Sequence, residues 1–480
     1  MISKNSLYND RWHVFWALAM ANFVAALDMN ITFIVLPTLA SEFNLPLSRV
    51  AWIPLAGTLT IGALLLPIGS LADLLGRKRM QLIGIALISL GSILFALAPT
   101  PAILILGKMI SSAGVAIVFT QMMSVIAAVF PDSERGKAIG AGIAASAIGM
   151  LLGPLAGGYV ITSIGWRAAY WVIGLLAIPS LIATAIIFVE SRVSSENIGE
   201  KLNFDWIGSL LIALGISLGI MILNEGNNLG WLSPLIIGMF FASIFCLVTF
   251  VVWELKIPDP LFDLRHFTNR IFTYSILVRF LGFFGYSAIF FILPFFIQDI
   301  QGYKADIVGL VIFTGSFGMG IGAIISGRFD NNRVLFSFLG LSLGAISSLL
   351  FVLALFMNAS AHFFAGINLI AGLGFGIWNA PAWGMLLAST DKSSYSGAAS
   401  VMNLVRNTST LSAVAVATAI ITTIMIAQGS NGNLDEIAND PNGHAAKSFV
   451  LGSQIVFIVS GCFGVGTLFA TILLRKPKDN

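Results

Sequence analysis

Apolar residues fall in long runs along this chain, and short polar breaks separate them. A helix that crosses the hydrocarbon core of a bilayer needs roughly 20 such residues. Runs of that size cover 13–38, 47–72, 80–98, 102–130, 137–162, 167–189, 206–224, 233–253, 271–298, 307–327, 335–357, 362–388, 394–426 and 449–473. Each predicts one transmembrane helix, fourteen in all. The first run is too long for the apolar region of a signal peptide and lacks an obvious small-residue cleavage site, so a retained helix is expected. Two breaks are longer. Glu190–Asp205 is polar with two bases and is expected on the cytoplasmic side. Gln428–Lys447 is acidic, rich in Gly and Asn, and is expected to be an exposed, mobile extracellular loop.

Composition agrees with this pattern. The 480 residues are 57% hydrophobic and 10% charged, with mean hydropathy +0.94. A soluble domain carries about 25% charged residues. So much apolar surface cannot hide in one core, and lipid must be its solvent. A net charge of +3 gives no case for a nucleic-acid partner. The placement of the bases says more. With both termini in the cytoplasm, eighteen Lys and Arg fall inside and only Arg49, Arg167, Lys304 and Lys447 outside. That skew follows the positive-inside rule, and one missed helix would destroy it. Lys108, Arg279 and Arg406 remain inside apolar runs. Arg279, about 12 Å into its helix, is expected to snorkel toward the cytoplasm.

Cys246 and Cys462 lie in apolar runs, and the four histidines are scattered. No metal-ligand spacing and no cluster of nucleophile and base occurs, so neither an enzyme nor a cofactor is expected.

Four patterns carry chemistry. Asp28, in Leu27-Asp28-Met29-Asn30-Ile31-Thr32, is about 22 Å along the first run. An ionised carboxylate there must be paired, hydrated or protonated. Desolvation disfavours its charge and a nearby cation favours it, a competition suited to a proton switch. The plainer alternative is a structural hydrogen bond or ion pair. Lys108, in Gly107-Lys108-x2-Ser111-Ser112-x-Gly114, is roughly 9 Å from the outer end of the fourth run, a depth comparable to that of Asp28. Gly69-Ser-Leu-Ala-Asp73-Leu-Leu-Gly76-Arg77-Lys78 closes the second run, with glycines for a tight turn and an acid able to cap a helix or pair with an arginine. Gly149-x3-Gly153-Pro154-x2-Gly157-Gly158, preceded by Gly140, lies in the fifth run. Its small residues allow close helix approach, and Pro154 removes one backbone hydrogen bond. Ser326–Arg333 weakly repeats the Gly, acid and base pattern of Gly69–Arg79, as internal repeats of transporters do.

These motifs resemble the major facilitator superfamily, in its fourteen-helix drug:proton antiporter branch. The resemblance spans nearly the whole chain and is strongest over residues 20–170. It departs at Leu74, at Asn30 and Phe33, at Lys108, Ser111 and Ser112, and at Gly57 and Gln121. It implies an all-α membrane protein with the major facilitator fold: two six-helix bundles plus two extra transmembrane helices, fourteen in total. The N-terminal bundle is expected over 1–190, a cytoplasmic linker over 191–205, the additional helices over 206–254 and the C-terminal bundle over 255–480. The resemblance further implies alternating access and export in exchange for protons, with the proton gradient as energy source and no cofactor. It places Asp28 and Lys108 beside a central cavity as the proton-coupling pair. Gly69, Asp73, Gly76, Arg77, Gly149, Gly153, Pro154, Gly157 and Gly158 become its conformational motifs. Asn30, Gln121, Asn379, Trp378 and Arg406 are candidate substrate contacts, with Asn368 a further polar candidate; each can instead serve helix packing. With one deep acid, monovalent, zwitterionic or neutral amphipathic substrates are expected. A metabolite or siderophore exporter is the alternative, and a passive channel a remote one. The expected setting is the inner (plasma) membrane, multi-pass, as a monomer among lipids.

Overall fold

In lipid every backbone polar group must find its partner inside the protein, and a helix achieves this within one segment. The computed structural model describes residues 4–188, 205–257, 264–328, 333–388, 395–430 and 434–473. Among them are helices and no strand. In chain order the helices are α1 (Lys4–Phe43), α2 (Leu47–Val50), α3 (Trp52–Leu75), α4 (Arg77–Ala96), α5 (Pro101–Val129), α6 (Asp132–Ser163), α7 (Trp166–Ile187), α8 (Trp206–Leu229), α9 (Pro234–Glu254), α10 (Arg270–Phe295), α11 (Ala305–Arg328), α12 (Arg333–Phe356), α13 (Ala361–Ala388), α14 (Tyr395–Ala427), α15 (Leu434–Asn439) and α16 (His444–Leu473). Fourteen spans among the described residues are long and apolar enough to cross a membrane. They fall on the fourteen apolar runs.

The ends of these helices follow local rules. Pro101 and Pro234 occupy first-turn positions, where no N–H is missed. The Ser233 hydroxyl accepts the Ile236 N–H at 3.3 Å, and Asp205 Oδ1 accepts that of Gly208 at 2.9 Å. Both are N-cap bonds. Three details differ from the sequence pattern. The run over 47–72 divides into α2 and α3 at Ala51. Beyond Pro294, which cannot donate to the ladder, α10 widens into a π turn over Phe296–Ile300. Within the polar break at 428–447 the short helix α15 forms. The linker residues 189–204, the segment 258–263, and residues 329–332 of the weak repeat lie outside the described residues.

The chain divides into two compact units. Unit 1 comprises Met1–Thr32 and Ala56–Ser209. In it α4 packs against α5 and α7, and α6 against α5 and α7. The α6 glycines face α1 one turn apart. A Cβ on Gly149 would stand 2.7 Å from the Phe23 carbonyl oxygen, and one on Gly157 would stand 2.6 Å from Ile31 Cγ1. Gly153 faces Leu27 and Asn30. This stripe presses α6 onto the turns of α1 that flank Asp28.

Unit 2 comprises Phe33–Leu55 and Leu210–Asn480. In it α13 packs against α11 and α12, while α10, α14 and α16 pack against one another. Helices α8 and α9 meet where the Ser243 hydroxyl bonds the Gly215 carbonyl at 2.8 Å. The end of α8 is tied down by Glu225, whose carboxylate accepts the Trp52 indole N–H at 2.6 Å, and by Asn224, which donates to the Ser48 carbonyl at 2.9 Å. The other face of α9 exposes Phe241 and Phe245, as expected of a helix solvated by lipid.

The α1–α6 contact makes a test. Replacing Gly149 by Leu overpacks it, at a cost of about 1–3 kcal/mol. Thermal melting in detergent should therefore show a lower Tm for Gly149→Leu. Gly140→Ala, where a Cβ meets nothing within 4 Å, should melt like the parent protein.

Candidate functional site

Asp28 is fully buried, on a stretch of α1 whose neighbours Ala25, Ala26 and Leu27 are buried too. A lone carboxylate in such a place would be several kcal/mol out of favour. The compensating charge comes from α5: Lys108 Nζ lies 2.7 Å from Asp28 Oδ2 and 3.1 Å from the Asp28 carbonyl oxygen. Lys108 is itself only 4% exposed. One turn on, the Ser111 hydroxyl donates to the same carboxylate oxygen at 3.3 Å. Asp28 Oδ1 is buried and has no hydrogen-bond partner among the described residues. The ion pair thus engages one carboxylate oxygen and leaves the other unbonded among the described residues.

The lysine reaches Asp28 because α3 has no side chain in its way. A Cβ on Gly57 would stand 3.1 Å from Lys108 Cγ and 2.8 Å from the Ser112 hydroxyl. The departure from the family pattern at this position is the seat of the lysine stem. On the other flank, the Thr32 hydroxyl donates to the Asp28 carbonyl at 2.9 Å and accepts from the Tyr170 hydroxyl at 3.2 Å. Tyr170 is held by stacking on Phe95, with ring centroids 3.9 Å apart. Sequence reasoning missed Tyr170; its one visible signal is an aromatic hydroxyl inside an apolar run.

The other unit 1 candidates stand apart from the pair. Asn30 turns back to donate to the Ala26 carbonyl at 2.9 Å. Gln121 is buried with neither amide atom bonded, about 20 Å along α5 from Lys108. Gly158 and Pro154 are buried in α6, which continues as a helix through the proline. Gly76, between α3 and α4, takes φ +93°, a conformation that favours glycine. The bases that follow it grip carbonyls: Arg77 Nη1 that of Ser124 and Lys78 Nζ that of Ala185, both at 2.8 Å. Ala185 lies in the last turn of α7, where carbonyls lack helical donors and attract cations. The surroundings of Gly69 and the side chain of Asp73 lie outside what is described.

Unit 2 holds a second cluster. Asn379 on α13 accepts from Arg279 Nη1 at 3.0 Å, and Arg279 Nε donates to the Met402 carbonyl on α14 at 3.1 Å. The guanidinium lies 4.9 Å from the centre of the Phe283 ring and 4.8 Å from that of Trp383. Arg279 is 2% exposed. The expectation that it snorkels is therefore corrected: a carbonyl, an amide and two aromatic faces hold it inside the unit, an environment a planar guanidinium satisfies well. Arg406 lies one turn beyond Met402 on α14 and is partly buried. Below it, the Ser409 hydroxyl bonds the Phe280 carbonyl, and Ser287 meets Thr410 at 3.0 Å. Trp378 touches this cluster only through Phe283. It packs edge-on to Phe283 and Phe375 and lines a narrow crevice with Tyr286 and Ser348. Asn368 spends its amide N–H on the Val311 carbonyl at 2.7 Å, a helix-to-helix tie.

The sequence pattern of the Major Facilitator Superfamily matches residues 18–414. The riboflavin transporter RibZ of Clostridioides difficile (strain 630) is 26% identical over 476 residues, covering 98% of this chain and 99% of that protein. The multidrug resistance protein Stp of Mycobacterium tuberculosis (strain H37Rv) is 28% identical over 307 residues, 64% of this chain and 56% of that protein. The multidrug transporter protein MdtP of Bacillus subtilis (strain 168) is 28% identical over 334 residues, 68% of this chain and 60% of that protein. The matches to Stp and MdtP thus span little more than half the length of those relatives. Among solved structures, a bacterial homologue of the human lysosomal transporter Spinster, inward-facing and unoccupied, shares the fold with TM-score 0.67 at 14% identity, over 98% of this chain and 99% of that one. The family pattern over most of the chain, and fourteen spans that fit its fourteen-helix branch, make this protein a membrane-spanning transporter of the Major Facilitator Superfamily and not an enzyme.

Proposed function

We propose that the protein is a proton-coupled exporter of small amphipathic compounds, working by alternating access in the inner (plasma) membrane with both termini in the cytoplasm. The observation that carries this reading is the sealed pair of Asp28 and Lys108, with Asp28 Oδ1 unpartnered. In the state described here the carboxyl is fully buried, so a proton reaches it only in another conformation. Once protonated, it no longer attracts Lys108, and the tie between α1 and α5 slackens. A proton taken from outside and released inside then drives substrate the other way. The glycine stripe of α6 gives α1 a smooth surface to move on, and the resemblance of that stripe to the antiporter signature favours exchange over uptake. A second reading, export of one specific metabolite, is favoured by the relative matched over nearly its full length, a riboflavin transporter by name.

Proteoliposomes with an internal pH dye test the coupling. Addition of rhodamine 123 or riboflavin should move protons in the parent protein, and the choice between the two compounds separates the readings. Asp28→Asn should abolish substrate-driven proton movement at unchanged protein level; normal movement would refute the role of Asp28. In Lys108→Ala the pH profile of substrate binding should move, and an unmoved profile takes the lysine out of the coupling.

The pair also predicts a stability pattern. Asp28→Asn alone strands a buried ammonium and should cost about 3–5 kcal/mol. Adding Lys108→Met removes the stranded charge, so the double variant should melt above the single one in detergent. A double variant that melts no higher would mean that the two side chains do not compensate one another.

A further inference from the structure

Deepening the reading above, and resting on it, the geometry points to an anion subsite in unit 2: Arg406 and Arg279 together bind the acidic group of a small organic anion that carries a flat ring. Three observations lead there.

First, the two arginines share a depth. Arg279 is about 13 Å into α10 and Arg406 about 16 Å into α14 at 1.5 Å per residue. These are the ninth and thirteenth of the fourteen spans, so they cross the membrane in the same direction. Met402, whose carbonyl takes the Arg279 Nε–H, is one turn from Arg406. That bond sets the Arg279 side chain against α14 about 6 Å of helix rise from Arg406.

Second, no acid among the described residues answers them. Neither arginine forms an ion pair with a described carboxylate, and Arg406 forms no hydrogen bond with any described residue. A guanidinium at mid-membrane depth without a counter-charge is costly, and a second one beside it adds to the cost. In unit 1 the same problem is solved inside the protein, since Lys108 neutralises Asp28. In unit 2 no described residue does the same.

Third, the cluster is preset for a planar acid. Arg279 is fixed by Asn379 and Met402 and flanked by the rings of Phe283 and Trp383. Among the described residues, its remaining N–H groups and all those of Arg406 meet no acceptor. A guanidinium fork matches a carboxylate, sulfonate or phosphate in pairs of hydrogen bonds, which an ammonium cannot do. Aromatic faces beside the fork suit a substrate whose charge sits on a ring system. The expectation of monovalent, zwitterionic or neutral substrates came from counting acids alone. Counting the unanswered cations gives an anion.

Fluorescein and rhodamine 123 share a xanthene frame and differ in charge, so they serve as probes. Fluorescence anisotropy would be followed with the full chain in phosphatidylcholine nanodiscs. The parent protein should bind fluorescein more tightly than rhodamine 123. Arg406→Gln should weaken fluorescein binding about tenfold or more, roughly the worth of one charge-assisted hydrogen bond. Arg406→Lys should keep part of the affinity, and rhodamine 123 should respond to neither change. Arg406, which holds no described partner, is chosen because its loss leaves the fold intact; equal melting of the variants checks this. Unchanged fluorescein binding in Arg406→Gln, or no binding by the parent protein, overturns the subsite. Displacement of fluorescein by phosphatidylglycerol in the discs overturns it too, by assigning the arginines to a lipid headgroup. Flux in proteoliposomes keeps the two readings apart. Proton-coupled rhodamine 123 flux without Arg406-dependent fluorescein binding sinks the subsite alone. Arg406-dependent binding with no flux of any probe sinks the transport reading and leaves the subsite standing.

Discussion

A charge inside a bilayer needs an opposite charge or a route to water, and the arrangement of unit 1 around Asp28 follows from that constraint. Lys108 answers the carboxylate from α5 at 2.7 Å. For the lysine stem to pass, α3 carries Gly57 at the crossing. For α1 to be gripped from its other side, α6 carries glycines one turn apart against Phe23, Leu27 and Ile31. Thr32 and Tyr170 then tie the Asp28 turn to α7. Removing any of these groups leaves the covalent chain intact but changes how the pair is held.

The two units handle fixed charge differently. Unit 1 closes its own account, acid against base, with both side chains buried. Unit 2 holds the Arg279 guanidinium with amide, carbonyl and ring partners, and no described acid joins them. A pair that is complete can be opened by a proton. A pair of cations that is incomplete can be completed by a ligand.

Much of the fold was legible in the residues. Fourteen apolar runs became fourteen spans, because lipid leaves a spanning segment one cheap way to satisfy its backbone. The tight turn at Gly76 and the close approach at Gly149 and Gly157 were readable for a related reason: only glycine suits a positive φ or a contact under 3 Å. The depth of Asp28 and Lys108, estimated from residue count, put them level, and the structure brings them into contact.

Rotation about the helix axis was not legible, and it decides what each polar side chain does. Asn30 lies two residues from Asp28 yet faces its own helix at Ala26, and Gln121 shares α5 with Lys108 but sits about 20 Å away. Trp378 and Asn379 are neighbours in sequence, and only the asparagine meets Arg279. Arg279 itself was assigned to the membrane surface, since a count of residues cannot see Met402 or Trp383 coming from α14 and α13. The sequence by itself determined how many times the chain crosses the membrane and which residues are charged at depth, because hydropathy and helical rise are local properties. Which charges are paired, and which are left waiting, was decided only in the tertiary structure, because pairing depends on atoms that are distant in the chain.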